Sequence, residues 1–169
     1  MFLVNTVAEG QARGKMKEVY DMFPGSVPAP LRLCSASPGM FEQQAALIKY
    51  FMGHKTLSFP LLTAIRYISS DECGHEFCLD FNRQLLMRAG MGAEEIDAMK
   101  ADPSTAPLED NEQAMLVFVA KALRAPKSTS RADVDALRAQ GWTDSDIFDA
   151  LAHGANMLAS AAVFNALKE

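Results

Sequence analysis

The stretch Leu137-Arg138-Ala139-Gln140-Gly141-Trp142-Thr143-Asp144-Ser145-Asp146-Ile147 decides the fold. It reads as the end of one helix and the start of the next, with almost no chain between them. Gly141 follows an amphipathic run, Ser130 to Ala139, and glycine takes the left-handed conformation that closes a helix at no steric cost. Thr143 then offers a hydroxyl to the free amides of a new first turn, where Asp144 and Asp146 supply acid. Trp142 and Ile147 stand where a hydrophobic staple pairs its two apolar residues.

The same grammar recurs upstream. Met91-Gly92-Ala93-Glu94-Glu95-Ile96 repeats the apolar residue before a cap, the acidic first turn and the staple partner. Asp110 to Leu123 is amphipathic. Ser37-Pro38 starts a helix that ends near Gly53, and Ser58 with Pro60 starts one that runs to about Ser70. Asp71 to Gly74 is a tight break, after which His75 to Ala89 is helical until Gly90. Val4 to Phe23 is a first amphipathic segment weakened by Gly10 and Gly14, and Pro24, Gly25, Pro28 and Pro30 impose a loop. The organisation expected is a single domain over 1–169, with an N-terminal helix in 1–23, a proline-rich loop in 24–37 and core helices in 38–169. The last helix spans about Asp144 to Leu167. About eight helices, short connections and no strands give an all-α bundle.

Composition narrows the function classes. The chain has 169 residues, of which 49% are hydrophobic, enough for a sizeable core. Sixteen basic residues against 21 acidic give a net charge of -5, without the basic stripe that nucleic acid requires. The first six residues lack the charged and apolar regions of a signal peptide. Ala150 to Leu167 is apolar but interrupted by His153, Asn156 and Asn165, which reads as a core helix rather than a membrane span. Three cysteines, Cys34, Cys73 and Cys78, are too few for a disulfide scaffold. A reducing, cytoplasmic setting is the expectation, with no nucleic-acid or membrane partner.

Reactive side chains concentrate in Asp71-Glu72-Cys73-Gly74-His75-Glu76-Phe77-Cys78-Leu79-Asp80-Phe81-Asn82. On a helix beginning near His75, the residues His75, Cys78 and Asn82 share one face. Cys78 then lies in the first turn, where the helix dipole and free amides favour a thiolate and the imidazole can accept or shuttle its proton. The same position, between Phe77 and Leu79, also suits an inert small hydrophobe. Cys73 and Cys78 can bridge only if Cys73 belongs to the turn, since residues five apart on a continuous helix face different ways. Zinc ligation by Cys73, His75, Cys78 and His153 would match none of the usual ligand spacings. No metal and no cofactor is called for. His54 reads as a solvated helix-end residue, His153 as a hydrogen-bonded core histidine, and the ten methionines as core packing.

His75-Glu76-Phe77-Cys78-Leu79-Asp80-Phe81-Asn82 resembles the Cys-x-x-Cys-x-x-x-His motif of the AhpD-like (carboxymuconolactone decarboxylase) superfamily, which opens a helix there. Pro60-Leu61-Leu62-Thr63-Ala64-Ile65-Arg66 resembles the preceding helix of that superfamily. Arg88 to Ile96, Asp110 to Ala114 and Leu137 to Ile147 resemble its recurring helix-turn-helix series. The similarity runs from about Pro24 to Leu167.

The resemblance implies an AhpD-like helical bundle and a thiol-dependent oxidoreductase of alkylhydroperoxidase type. In that superfamily two cysteines, a glutamate on the preceding helix and a histidine after the second cysteine form a proton relay. Here His75 stands at the first cysteine position, Asn82 at the histidine position and Thr63 at the glutamate position. Cys78 matches the second cysteine, the one the resemblance assigns to peroxide. Its resolving thiol would be Cys73, a cysteine of a partner chain or a small-molecule thiol. Two further readings follow from the same resemblance. One is a catalytically degenerate member that binds a ligand or acts through assembly. The other is a decarboxylase using His75 and Glu76 as acid and base, with Arg66 holding the carboxylate of an organic acid. The implied partners are a small peroxide or organic acid, a thiol reductant and further copies of the chain, as a dimer, trimer or hexamer.

Overall fold

The computed structural model describes residues 1–23 and 25–169. Among them run nine α-helices: α1 (Gly14–Asp21), α2 (Ala29–Cys34), α3 (Pro38–Met52), α4 (Phe59–Glu72), α5 (Glu76–Arg88), α6 (Ala93–Ala101), α7 (Asp110–Arg124), α8 (Arg131–Ala139) and α9 (Asp144–Leu167). The all-α expectation holds, and seven of the eight anticipated helices lie within a few residues of their expected bounds.

The N-terminal third differs. The segment read as one helix over 4–23 is helical only as a 3-10 turn, Glu9–Gln11, and as α1, which Gly14 opens with φ of 54°. The segment read as a loop over 24–37 contains α2. Pro28 caps that helix and Pro30 sits in its first turn. There the missing amide has no partner to lose and the fixed φ is already helical, so these prolines start a helix where they were expected to prevent one. Pro24 lies outside the described residues.

One compact unit comprises Met1–His54 and Ala162–Glu169. Its core is Ala12, Tyr20, Val27, Leu31 and Phe41, with the Tyr20 and Phe41 rings edge to face at 5.8 Å. Phe2 and Lys168 form an isolated antiparallel bridge, in which the Leu3 amide donates to the Leu167 carbonyl at 2.9 Å.

The second unit comprises Lys55–Ala161. Helix α4 is its centre: Leu61, Ala64 and Ile65 are sealed from solvent, and α5, α6 and α7 pack around them. Leu86, Ile96, Met99, Met115, Leu116 and Val119 complete this core. Such apolar contact supplies most of the favourable free energy of a bundle.

The turn that decided the fold is built as its residues dictate. Gly141, with φ of 96°, donates to the Arg138 carbonyl, and the Trp142 amide donates to that of Leu137 at 3.2 Å. These two bonds satisfy the last carbonyls of α8. The Asp146 amide donates to Thr143 Oγ1 at 3.1 Å, while the Asp146 carboxylate accepts the Thr143 amide at 3.0 Å. That carboxylate also accepts the Thr56 hydroxyl. Trp142 is buried with Ile147, and its indole N–H donates to the Asn111 carbonyl at 3.0 Å. Thr143→Ala removes the cap from α9 and is expected to cost about 1–2 kcal/mol, read as a lowered urea midpoint at unchanged m-value.

Helix α9 is long and apolar enough to cross a membrane, with a mean hydropathy of 1.3 over its most apolar window. Its buried positions, Asp146, Ile147, Ala150, His153, Gly154, Ala161 and Phe164, recur on one face, as in a helix packed against its own domain.

Candidate functional site

The site is the hairpin of α4 and α5. Ser58 caps α4, its Oγ accepting the Leu61 amide at 3.2 Å, and Pro60 lies in the first turn. The helix ends in a Schellman motif. Gly74, with φ of 61°, donates to the Asp71 carbonyl at 3.1 Å, and the His75 amide donates to that of Ser70 at 2.9 Å. A left-handed residue is obligatory at this reversal, which is why glycine occupies it. Helix α5 then begins with His75 as its cap residue and Glu76 in its first turn. His75, expected as the first helical residue, stands one position outside the helix.

This turn folds α5 back along α4, and the two helices pack against each other. Ser70 and Cys78 lie four residues to either side, and Arg66 and Asn82 eight. Within each helix the pairs are tied one turn apart: Ser70 Oγ donates to the Arg66 carbonyl at 2.6 Å, and Asn82 Nδ2 to that of Cys78 at 2.7 Å. Arg66, Ser70, Cys78 and Asn82 are the polar layer of this part of the hairpin, with Arg66 near enough to Cys78 to act on its charge.

Of the residues singled out in the sequence, His75, Cys78 and Asn82 are all buried and share the inner side of α5. Glu76 is exposed and turned away from them. Cys73 is the C-cap residue of α4. It belongs to the turn, the condition under which a bridge to Cys78 is possible. Its thiol donates to the Ser69 and Ser70 carbonyls at 3.1 and 3.5 Å. All three cysteines are free thiols. Thr63, at the position of the relay glutamate, is fully buried and its hydroxyl is committed to the Phe59 carbonyl at 2.7 Å. Ser70 was not singled out, although a serine four residues after Arg66 on a helix was the available signal.

Electrostatics at Cys78 reverse the expectation drawn from the helix dipole. Burial is the dominant cause and pushes the thiol from its ordinary 9.0 up to about 11. The Arg66 guanidinium pulls the other way, and charge on Cys73 adds to the rise. A helix N-terminus contributes on the order of 0.3–1 kcal/mol, whereas desolvating a thiolate costs several times that. Burial also lowers the Arg66 pKa, opposed by Cys78. Cys73 is raised, again mainly by burial, with the His75 amide opposing. At neutral pH both sulfurs are thiols.

The hairpin and the helices around it define an AhpD-like bundle, the fold the motif series had suggested. The crystal structure of an uncharacterized peroxidase-related protein from Ralstonia eutropha JMP134, an alkylhydroperoxidase AhpD core, is similar with a TM-score of 0.77 at 21% identity, over 98% of this chain and 90% of the other. An uncharacterized peroxidase-related protein from Silicibacter sp. TM1040 is similar with a TM-score of 0.76 at 22% identity, over 90% of this chain and 82% of the other. No protein-family model and no curated protein matches the sequence.

Proposed function

We propose that this chain is a member of the AhpD-like superfamily acting as a thiol-dependent oxidoreductase, in which Cys78 reduces a hydroperoxide and Cys73 resolves the product. One observation carries the reading: two free thiols flank the α4–α5 turn, near enough for charge on Cys73 to raise the Cys78 pKa. The Cys78 thiolate attacks the distal peroxide oxygen. The O–O bond breaks, the alkoxide leaves as an alcohol after protonation, and Cys78 becomes a sulfenic acid. The Cys73 thiolate then displaces hydroxide, which leaves as water, giving a Cys73–Cys78 disulfide that an external dithiol reduces. The AhpD-like fold of two peroxidase-related proteins supports this class of chemistry.

The test is hydroperoxide consumption with dithiothreitol as donor. Cys78→Ser is expected to abolish turnover. Cys73→Ser is expected to leave one round of oxidation, with a sulfenic acid that dimedone traps at Cys78. Absence of turnover in the wild type with several dithiol donors would remove the proposal.

A second reading, that the chain keeps the fold and serves in ligand binding or assembly, draws on Thr63 in place of the relay glutamate and on the protonated Cys78. A saturable reaction that depends on Cys78 would count against it. Acid–base decarboxylation by His75 and Glu76 draws no comparable support, since one is buried and the other exposed. Association into a homo-oligomer, a cytoplasmic location and organisation as a single functional domain are parts of the same proposal, and a monomer at micromolar concentration would remove the first.

A further inference from the structure

Two polar atoms in the Arg66–Asn82 layer are buried without a hydrogen-bond partner among the described residues: Arg66 Nε and Asn82 Oδ1. The first is a cationic donor and the second an acceptor. Asn82 Nδ2 is fixed by its bond to the Cys78 carbonyl, which leaves Oδ1 as the open atom. The guanidinium Nε loses the one hydrogen bond, and the amide oxygen up to two, that water would supply. Two such atoms, opposite in character, belong to residues that both neighbour Cys78, since Arg66 acts on its charge and Asn82 bonds its carbonyl, and together they suit a molecule that offers both an anionic acceptor and a donor. Helix α4 is closed to solvent from Leu61 to Ser70 except at Arg66, so this side chain is also the layer's outlet. No salt bridge to Arg66 is present among the described residues, in contrast to Arg83, which pairs with Asp97 at 3.2 Å.

We propose that Arg66 and Asn82 form an anion subsite beside Cys78, which takes the carboxylate of a small organic acid on the guanidinium and a hydroxyl or hydroperoxyl hydrogen on Asn82 Oδ1. This deepens the peroxide reading by naming carboxylate-bearing hydroperoxides as its substrate class, and it rests on that reading for its biological meaning. The subsite itself is tested without turnover. A planar guanidinium binds a carboxylate through two parallel hydrogen bonds, and exclusion of water strengthens that attraction. An anionic reagent should therefore reach the Cys78 sulfur preferentially, by an amount that disappears with the charge.

The experiment compares alkylation of Cys78 by iodoacetate and by iodoacetamide in the full chain at one pH, followed by peptide mass spectrometry. Taking the ratio of the two rates cancels any change in the thiolate fraction. Arg66→Met is expected to lower the iodoacetate-to-iodoacetamide ratio about tenfold, and Arg66→Lys, which keeps the charge but loses the bidentate fork, to lower it by a smaller factor. Asn82→Asp places a negative charge in the layer and should lower the ratio by a similar factor, giving a second variant if Arg66→Met does not fold. A change below about threefold in the folded variants overturns the subsite, since screened surface charge alone gives that much. Failure of both reagents to reach Cys78 in the folded wild type overturns it too. Normal iodoacetate preference without hydroperoxide turnover would remove the redox reading and leave the subsite. Turnover without that preference would do the reverse.

Discussion

Cys78 in the folded protein is expected to react with iodoacetamide about tenfold faster for each pH unit from pH 7 to pH 10, with no plateau below about pH 10. The cause is the position of its pKa, pushed up to about 11 by burial. Only the thiolate is nucleophilic, so the rate follows the ionised fraction. At pH 7 that fraction is on the order of one in ten thousand, against roughly one in a hundred for a thiol at its ordinary value. Peptide mass spectrometry of timed aliquots separates Cys78 from Cys34 and Cys73. A plateau near pH 8 would show that the Arg66 guanidinium outweighs desolvation and would invert the ordering of causes given above. The same shift links to stability. The folded chain holds the Cys78 proton more tightly than the unfolded chain does. Stability from this group is therefore complete below pH 9 and is lost as pH rises towards about 11, at about 1.4 kcal/mol per pH unit in that window. Cys78→Ser should remove this part of the alkaline dependence in urea titrations.

That prediction also explains what the sequence could and could not disclose. A helix cap is local: Trp142, Thr143, Asp146 and Ile147 lie within six residues, and their chemistry alone specifies the start of α9. The α4–α5 reversal was legible for the same reason, since glycine at position 74 meets a backbone requirement set by its neighbours. The pKa of Cys78 is different in kind. Its first-turn position is visible in the sequence and argues for a thiolate, but desolvation depends on which helices close over the sulfur, and that is decided by tertiary packing. Helix α2 failed for a third reason. Pro28 and Pro30 read as breakers in the sequence, whereas their effect depends on whether they fall before, within or after the first turn. The shared face of His75, Cys78 and Asn82 was readable from period 3.6. The nearness of Arg66 to Cys78 was not, because it arises from the packing of α4 against α5.

Gly154→Val is expected to destabilise the second unit by about 3 kcal/mol, on the order of a hundredfold in the folding equilibrium, while Gly154→Ala stays within about 1 kcal/mol of the wild type. Glycine in mid-helix ordinarily costs about 1 kcal/mol relative to alanine, so its presence in α9 calls for a compensating contact. A Cβ at this position would meet Leu123 Cδ1 at 2.8 Å, Ser69 Oγ at 3.1 Å and Val119 Cγ1 at 3.2 Å. These atoms belong to α4 and α7, so two helices close on the α9 backbone here. For alanine, the end of the Leu123 side chain swings away and Ser69 Oγ and Val119 Cγ1 need give by only a few tenths of an ångström, a displacement that the gain in helix propensity offsets. Valine adds two further carbons. It cannot clear Val119, whose side chain is sealed from solvent, or Ser69, whose hydroxyl is held by the Ile65 carbonyl at 2.7 Å. The strain therefore reaches α4 itself, whose outer end carries the Arg66–Ser70 layer and the turn at Cys73. Urea unfolding followed by circular dichroism measures the cost. A valine variant as stable as the alanine variant would show that α9 can retreat from α4, and the close approach would then not be what fixes glycine at position 154.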